Sequence, residues 1–279
     1  MKFLRRKTPK VGLALGSGAA RGLAHIGVLK ALQEASIPVD MIAGTSMGAM
    51  VGACFAKDGN IAAMERAALQ ANRRQLARLL DPKLTSLKKG LIHGAKIEEL
   101  LLSLIGHTEF KDLRIPFAAI ATDVNTGEEI VITEGSVVEA VRASISIPGI
   151  FVPVEAQGKL LVDGGINNPV PASVLKDMGI EFIIAVNVLP RPQGNNLAGI
   201  LQKDRSPGTP SIFNTLARSI YIMEDEIIRL RMPKADVIIT PDVRHVEAFE
   251  FHRSKTAIQA GYKATRDVLP RLQTLIGRQ

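Results

Sequence analysis

Tryptophan is absent from this 279-residue chain, and all aromatics together make up 4% of it. Nucleic-acid surfaces usually pair a basic stripe with aromatic rings on which bases stack. The excess of 35 Lys and Arg over 27 Asp and Glu, a formal charge of +8, is therefore not read as a nucleic-acid footprint. Cysteine is nearly missing as well. The single Cys54 cannot close an internal disulfide, which excludes a stapled secreted module and fits a reducing, cytoplasmic setting. Long apolar runs are lacking too: the longest uncharged stretch, residues 41–56, contains Gly44, Gly48 and Gly52 and falls short of the ~20 apolar residues a membrane span needs. Nor does a leader peptide fit, because the apolar segment after the charged start is broken by Gly16, Gly18 and Arg21.

What is present is enough apolar material, 46% of the residues, for a chain of this size to bury roughly 70 to 75% of its extended surface. Residues 1–10, with Lys2, Arg5, Arg6, Lys7 and Lys10, form a basic tail. Such runs usually solvate; peripheral contact with an anionic membrane, at about 1 kcal/mol per charge, is the alternative. Residues 11–279 are expected to form one domain, since no repeat and no linker-like boundary interrupts them. Within it, strand-like and helix-like segments alternate, which predicts an α/β fold with three α/β/α layers around a mainly parallel sheet. Strands are expected at 11–15, 41–43, 116–122, 129–133, 151–154, 160–162, 182–188 and 236–240. Helices are expected at 23–35, 47–56, 60–80, 96–105, 137–143, from Pro171 to just before Gly179, 211–231 and 254–276, with loops at 81–94 and 190–210.

Gly44-Thr45-Ser46-Met47-Gly48 fits G-x-S-x-G, a sharp strand-to-helix turn that lifts a serine hydroxyl off the sheet. Chance alone would give roughly 0.1 such matches in this composition, and the flanking apolar strand and helix are the context the pattern requires. A tight packing turn with a helix-capping Ser46 is the plainer alternative. A nucleophilic serine needs a base. Of five histidines, only His245 and His252 follow Asp163, the order of an α/β-hydrolase triad, and both stand in ordinary polar or capping contexts. Asp163 ends an apolar strand and precedes Gly164 and Gly165, and strand C-termini are where open α/β sheets bind ligands. Asp123 is a rival, with a turn-forming role before Asn125-Thr126-Gly127 as its plainer use. Spacing does not choose between them.

An oxyanion needs donors, and the loop from Gly16 to Gly22 offers consecutive amides at a helix start. Its other reading is a dinucleotide fingerprint, but Gly16, Gly18 and Gly22 depart from G-x-G-x-x-G. The acidic residue expected after the second strand is absent there, and Asp40 precedes that strand instead.

Taken in order, Gly16-Ser17-Gly18-Ala19-Ala20-Arg21-Gly22, Gly44-Thr45-Ser46-Met47-Gly48 and Asp163-Gly164-Gly165 resemble the three motifs of the patatin-like phospholipases, most of all the small single-domain bacterial members. Residues 142–151 and Ala260-Gly261-Tyr262 are similar to further family stretches. The resemblance implies a serine and aspartate dyad, with Ser46 as nucleophile and Asp163 as general base. It implies an oxyanion hole from the amides of Ser17, Gly18 and Ala19, with Arg21 closing that loop and Gly16, Gly22, Gly44, Gly48, Gly164 and Gly165 supporting the turns. Where the family usually has a glycine triplet, this chain has Ser17-Gly18-Ala19, and Ala19 restricts φ.

Implied substrates are fatty acyl esters of phospholipids or lysophospholipids, cleaved through an acyl-enzyme without metal or cofactor. An acyltransferase or thioesterase on the same dyad, and a non-catalytic regulatory or nucleotide-binding relative, are the alternatives. Residues 79–91 and the helix around 97–104 offer apolar side chains for an acyl channel or lid, with core packing as their plainer use. Met223 and Met232 read as core filler. Oligomeric state is not legible.

Overall fold

The computed structural model describes residues 9–70, 94–189, 212–231 and 234–278. The expected loop at 190–210, the stretch 71–93 and the tail through residue 8 lie outside them.

Strand β1 (Val11–Leu15) sits at the centre of the sheet, and every one of its residues is buried. Alternate side chains leave such a strand on opposite faces, and both faces here are covered. Val11, Leu13 and Leu15 join one apolar cluster, whereas Ala14 joins another. The same division recurs in β7 (Phe182–Val186), where Phe182, Ile184 and Val186 face the first cluster and Ile183 and Ala185 the second. Strands buried on both faces read as unbroken apolar runs, which is why VGLAL and FIIAV are legible as strands. Helices α1 (Ala24–Glu34), α2 (Met47–Asp58) and α8 (Ser254–Arg278) cover one face; α6 (Ala172–Asp177) and α7 (Ile212–Arg231) supply Val174, Leu175 and Ile228 to the other. The layers are α/β/α, as expected.

Parallel pairing joins β1 to both β2 (Met41–Thr45) and β7, β7 to β8 (Val237–Ile239), and β2 to β3 (Phe117–Asp123). The far side of β3 departs from this. Antiparallel β4 (Glu129–Ile132) pairs residues 119–122 of β3, and antiparallel β6 (Lys159–Asp163) pairs residues 121–123, with β5 (Val154–Ala156) beyond it. Since β4 opposes Ala119 and Ile120 together with β2, and Ala121 and Thr122 together with β6, β2 and β6 must share one edge of β3. They run toward each other along it. Thr45 stands opposite Ile120 and Asp163 opposite Ala121, so the two C-termini meet head-on between adjacent residues of one strand.

Three smaller differences have local causes. The helix expected from residue 23 starts as a 3-10 turn, Ala19–Leu23, before α1 takes over. Pro171 caps α6 rather than opening it, and Gly179 stops that helix region with φ +79°. The helix predicted over 60–80 is α3 (Ile61–Gln70) within the described residues, and its continuation lies outside them. Helices α4 (Ala95–Ile105) and α5 (Val137–Ser144) fall as expected, with the Ser136 hydroxyl accepting the Glu139 amide at 3.3 Å.

Candidate active site

Ser46 sits on the turn from β2 into α2 with φ +56° and ψ −121°, a region an L-residue occupies only when its surroundings force it. The forcing comes from the glycines on either side. A methyl group on Gly44 would lie 2.6 Å from the Gly48 carbonyl oxygen and 2.7 Å from the Ala49 nitrogen; one on Gly48 would run into the Leu15 and Gly16 carbonyls. Only without side chains at 44 and 48 can the strand and helix come this close. The Ser46 amide donates to Ser144 Oγ at 2.9 Å, and that hydroxyl donates to the Ile120 carbonyl at 2.6 Å. Ser144 thereby occupies the gap where β2 leaves β3 and β6 has not yet joined it.

From the opposing strand end, Asp163 brings its carboxylate to face the Ser46 hydroxyl in the same cleft. Its Oδ1 also accepts the Gly165 amide at 2.8 Å. Asp163 is 4% exposed with no cationic partner among the described residues, and burial raises its pKa to about 6, against the lowering effect of the Ser46 hydroxyl and the Gly165 amide. Thr45 Oγ1 donates to the Asn168 carbonyl at 2.8 Å and pins the two strand ends together.

Beneath this pair lies the loop between β1 and the 3-10 turn. Three amides, those of Ser17, Gly18 and Ala19, were expected to point at an oxyanion. The Ser17 amide is instead engaged, donating to the Pro169 carbonyl at 2.8 Å, while the amides of Gly18 and Ala19 make no hydrogen bond to any described residue. Ala19 takes φ +48°, the left-handed conformation that glycine would adopt at no cost. His25 supports the loop from below: its Nε2–H donates to the Gly16 carbonyl at 2.8 Å, and complete burial lowers its pKa to about 4, so the ring is neutral. Arg21 closes the loop on its other side, donating from Nε to the Val246 carbonyl at 2.7 Å, with Glu247 3.6 Å away and the Tyr221 ring 5.2 Å beneath.

Ser46, Asp163 and Ser17 to Ala19 open on one cleft of about 400 Å³, counted to its open mouth. Its apolar wall is Ile147, Pro148, Ile150, Ile166, Ile220 and Phe249. Three of these come from the 142–151 stretch. Helix α4, offered by its sequence as an acyl-channel wall, packs Leu101 and Ile105 into the core instead and does not line the cleft; residues 79–91, the other stretch offered for that wall, lie outside the described residues.

The rival residues go elsewhere. Asp123 makes the β3–β4 turn, its Oδ1 accepting the Asn125 amide at 3.1 Å. Asp40 Oδ2 accepts the Val11 amide at 2.7 Å, which uses it in the sheet. His245 and His252 do not line the cleft.

The sequence of residues 13–176 matches the model of the patatin-like phospholipases. The chain belongs to that family. An uncharacterized NTE family protein of Mycobacterium tuberculosis is 40% identical over 181 residues, which is 65% of this chain and 49% of that one. Lysophospholipase NTE1 of Pyricularia oryzae is 29% identical over 278 residues, covering 94% of this chain and 18% of its own length. This patatin-like chain thus spans about half or less of the curated relatives it matches. The crystal structure of VipD from Legionella pneumophila has the same fold, with a TM-score of 0.51 at 15% identity over 95% of this chain and 67% of that one.

Two residues that build this patatin-like site escaped the sequence reading. Ser144 gave no signal, because its use depends on a junction that only the sheet register creates. Glu224 gave one. On α7 it lies with Tyr221 and Ile228 on the inward stripe, so a carboxylate stands where the 3.6-residue period asks for an apolar side chain. Met223, expected in the core, is off that stripe and 50% exposed; Met232 lies outside the described residues.

Proposed function

We propose that this chain is a serine acyl hydrolase acting on fatty acyl esters of phospholipids or lysophospholipids, with Ser46 as nucleophile and Asp163 as general base. The observation that carries the reading is a strained, 5%-exposed serine whose hydroxyl faces a buried carboxylate with no cationic partner among the described residues. Asp163 at about 6 is ionised at neutral pH yet basic enough to take the Ser46 proton as Oγ attacks the ester carbonyl. The carbonyl oxygen then gains negative charge facing the Gly18 and Ala19 amides. Collapse expels the alcohol, which takes the proton from Asp163, and water repeats the sequence on the acyl-enzyme. The apolar wall suits an acyl chain, and the name of the Pyricularia oryzae relative, a lysophospholipase, points to the same substrate class.

A fluorophosphonate probe tests the nucleophile directly. Labelling of the wild-type chain at Ser46, abolished in Ser46→Ala, is the expected result; equal labelling of the variant refutes the reading. Asp163→Asn should lower kcat/KM by about 10²–10⁴-fold. In the wild type, activity should rise through an acid limb near pH 6, since the base works only once deprotonated. A role for His245 or His252 as base is excluded if His245→Ala and His252→Ala keep turnover.

A further inference from the structure

Glu224 is a buried carboxyl in the same cleft with no role in the reaction above. It is 3% exposed, and Oε1 accepts the Ser17 hydroxyl at 3.0 Å. Its other oxygen, Oε2, is buried and has no hydrogen-bond partner among the described residues. The direction in which a Gly165 side chain would grow leads onto Glu224 Oε1 and comes within 3.1 Å of Asp163 Oδ1, so the two carboxyls lie on either side of one backbone position. A side chain at 165 would therefore have to displace the Glu224 carboxyl.

An unpaired buried carboxylate is costly, and two adjacent ones more so. No ion pair reaches Glu224 among the described residues. The charged and titratable groups that face it are Asp163 from the end of β6, Arg21 from the 3-10 turn and Tyr221 from its own helix, with Glu247 beyond. Arg21 is the one cation of the set, and it is turned to Val246, Glu247 and the Tyr221 ring. A protonated Glu224 fits its contacts: Oε1, as the carbonyl oxygen, accepts from Ser17, while Oε2 carries the proton.

We propose that Glu224 is a positioning residue of the Ser46 site that must hold its proton for the reaction. Through Ser17 it fixes the loop bearing the Gly18 and Ala19 amides, and its neutrality keeps a second negative charge away from the forming oxyanion and from Asp163. The inference rests on the acyl-hydrolase reading. Burial and the Asp163 charge raise the Glu224 pKa to about 8, which places loss of this proton just above neutral pH.

The test is the rate of Ser46 labelling by a fluorophosphonate, read by intact-protein mass against pH from 5 to 10, for wild type, Glu224→Gln and Ser46→Ala. Labelling needs no natural substrate. The wild-type rate should rise through the acid limb and fall above about pH 8, by about tenfold per unit once Glu224 ionises. Glu224→Gln keeps the shape and the acceptor for Ser17 but has no proton to lose; its rate should stay level there, so that variant overtakes the wild type by about tenfold at pH 9. A falling limb retained unchanged in Glu224→Gln overturns the proposal and leaves the Ser46 reading intact. Absence of labelling in the wild type defeats that reading instead. Should Glu224→Gln fail to fold, Ser17→Ala serves in its place: with the Oε1 hydrogen bond gone, the falling limb should move to higher pH, because that bond favours the ionised carboxylate. A limb that stays put refutes the coupling.

Discussion

Ala19 shows how a single residue can keep a site while departing from its family's habit. What the loop requires is a backbone amide and a left-handed φ, and alanine supplies both at a cost of about 1–2 kcal/mol. Ala19→Gly should therefore raise stability by about 0.5–1 kcal/mol, the relief of strain exceeding the added freedom of the unfolded chain; an unchanged or lower urea midpoint would contradict this. The motif serine and aspartate were legible because their surroundings are glycines, whose spacing records how closely backbones must pass. The engaged Ser17 amide was not legible. Its partner is the Pro169 carbonyl, 152 positions along the chain and brought near only by the turn after Asp163.

At the level of elements, α2 lies against the sheet by way of its glycines, and two of them one turn apart make opposite predictions. Added at Gly48, a Cβ meets backbone carbonyls that cannot move without breaking β1; added at Gly52, it meets side-chain atoms of Ile42, Phe117 and Leu15 at 3.1 to 3.4 Å. Gly52→Ala also gains about 1 kcal/mol of helix propensity, which offsets that crowding, so its net effect should stay within about 1 kcal/mol. Gly48→Ala should cost about 3 kcal/mol or more and release Ser46 from its strained turn, with loss of labelling. Comparable denaturation midpoints for the two variants would show that the elbow is not set by backbone contact. Apolar periodicity revealed almost every strand and helix here, since β1 and β7 are covered on both faces. It said nothing of strand direction. The antiparallel return of β6 along the edge already used by β2 is a property of the connection through residues 145–158, where the strand expected at 151–154 forms instead as β5 over Val154–Ala156.

For the whole molecule, the head-on meeting of β2 and β6 concentrates buried ionisable groups in one place, and that must appear in stability against pH. His25, with its pKa lowered from 6.5 to about 4, binds its proton more readily unfolded than folded, so its contribution is lost as pH falls through that interval. Asp163 and Glu224 have the opposite sign. Their folded pKa values, about 6 and about 8, are raised above 3.8 and 4.5, so the folded chain holds protons the unfolded chain has released, and stability declines as pH rises through those ranges. Between pH 6.5 and 8 Glu224 contributes most of the difference between the two states, because the contributions of His25 and Asp163 have opposite signs and fade by about pH 7.5. Thermal denaturation should therefore show wild-type stability falling across that window by of order 1 kcal/mol per pH unit, and Glu224→Gln should remove most of the slope there while leaving the losses at lower pH in place. Cys54, raised by burial from 9.0 to about 12, adds a second decline above pH 9 that both chains share. A wild-type profile that is flat or rising from pH 6.5 to 8 would mean that Glu224 is ionised in the folded protein, and the cleft would then hold two adjacent carboxylates.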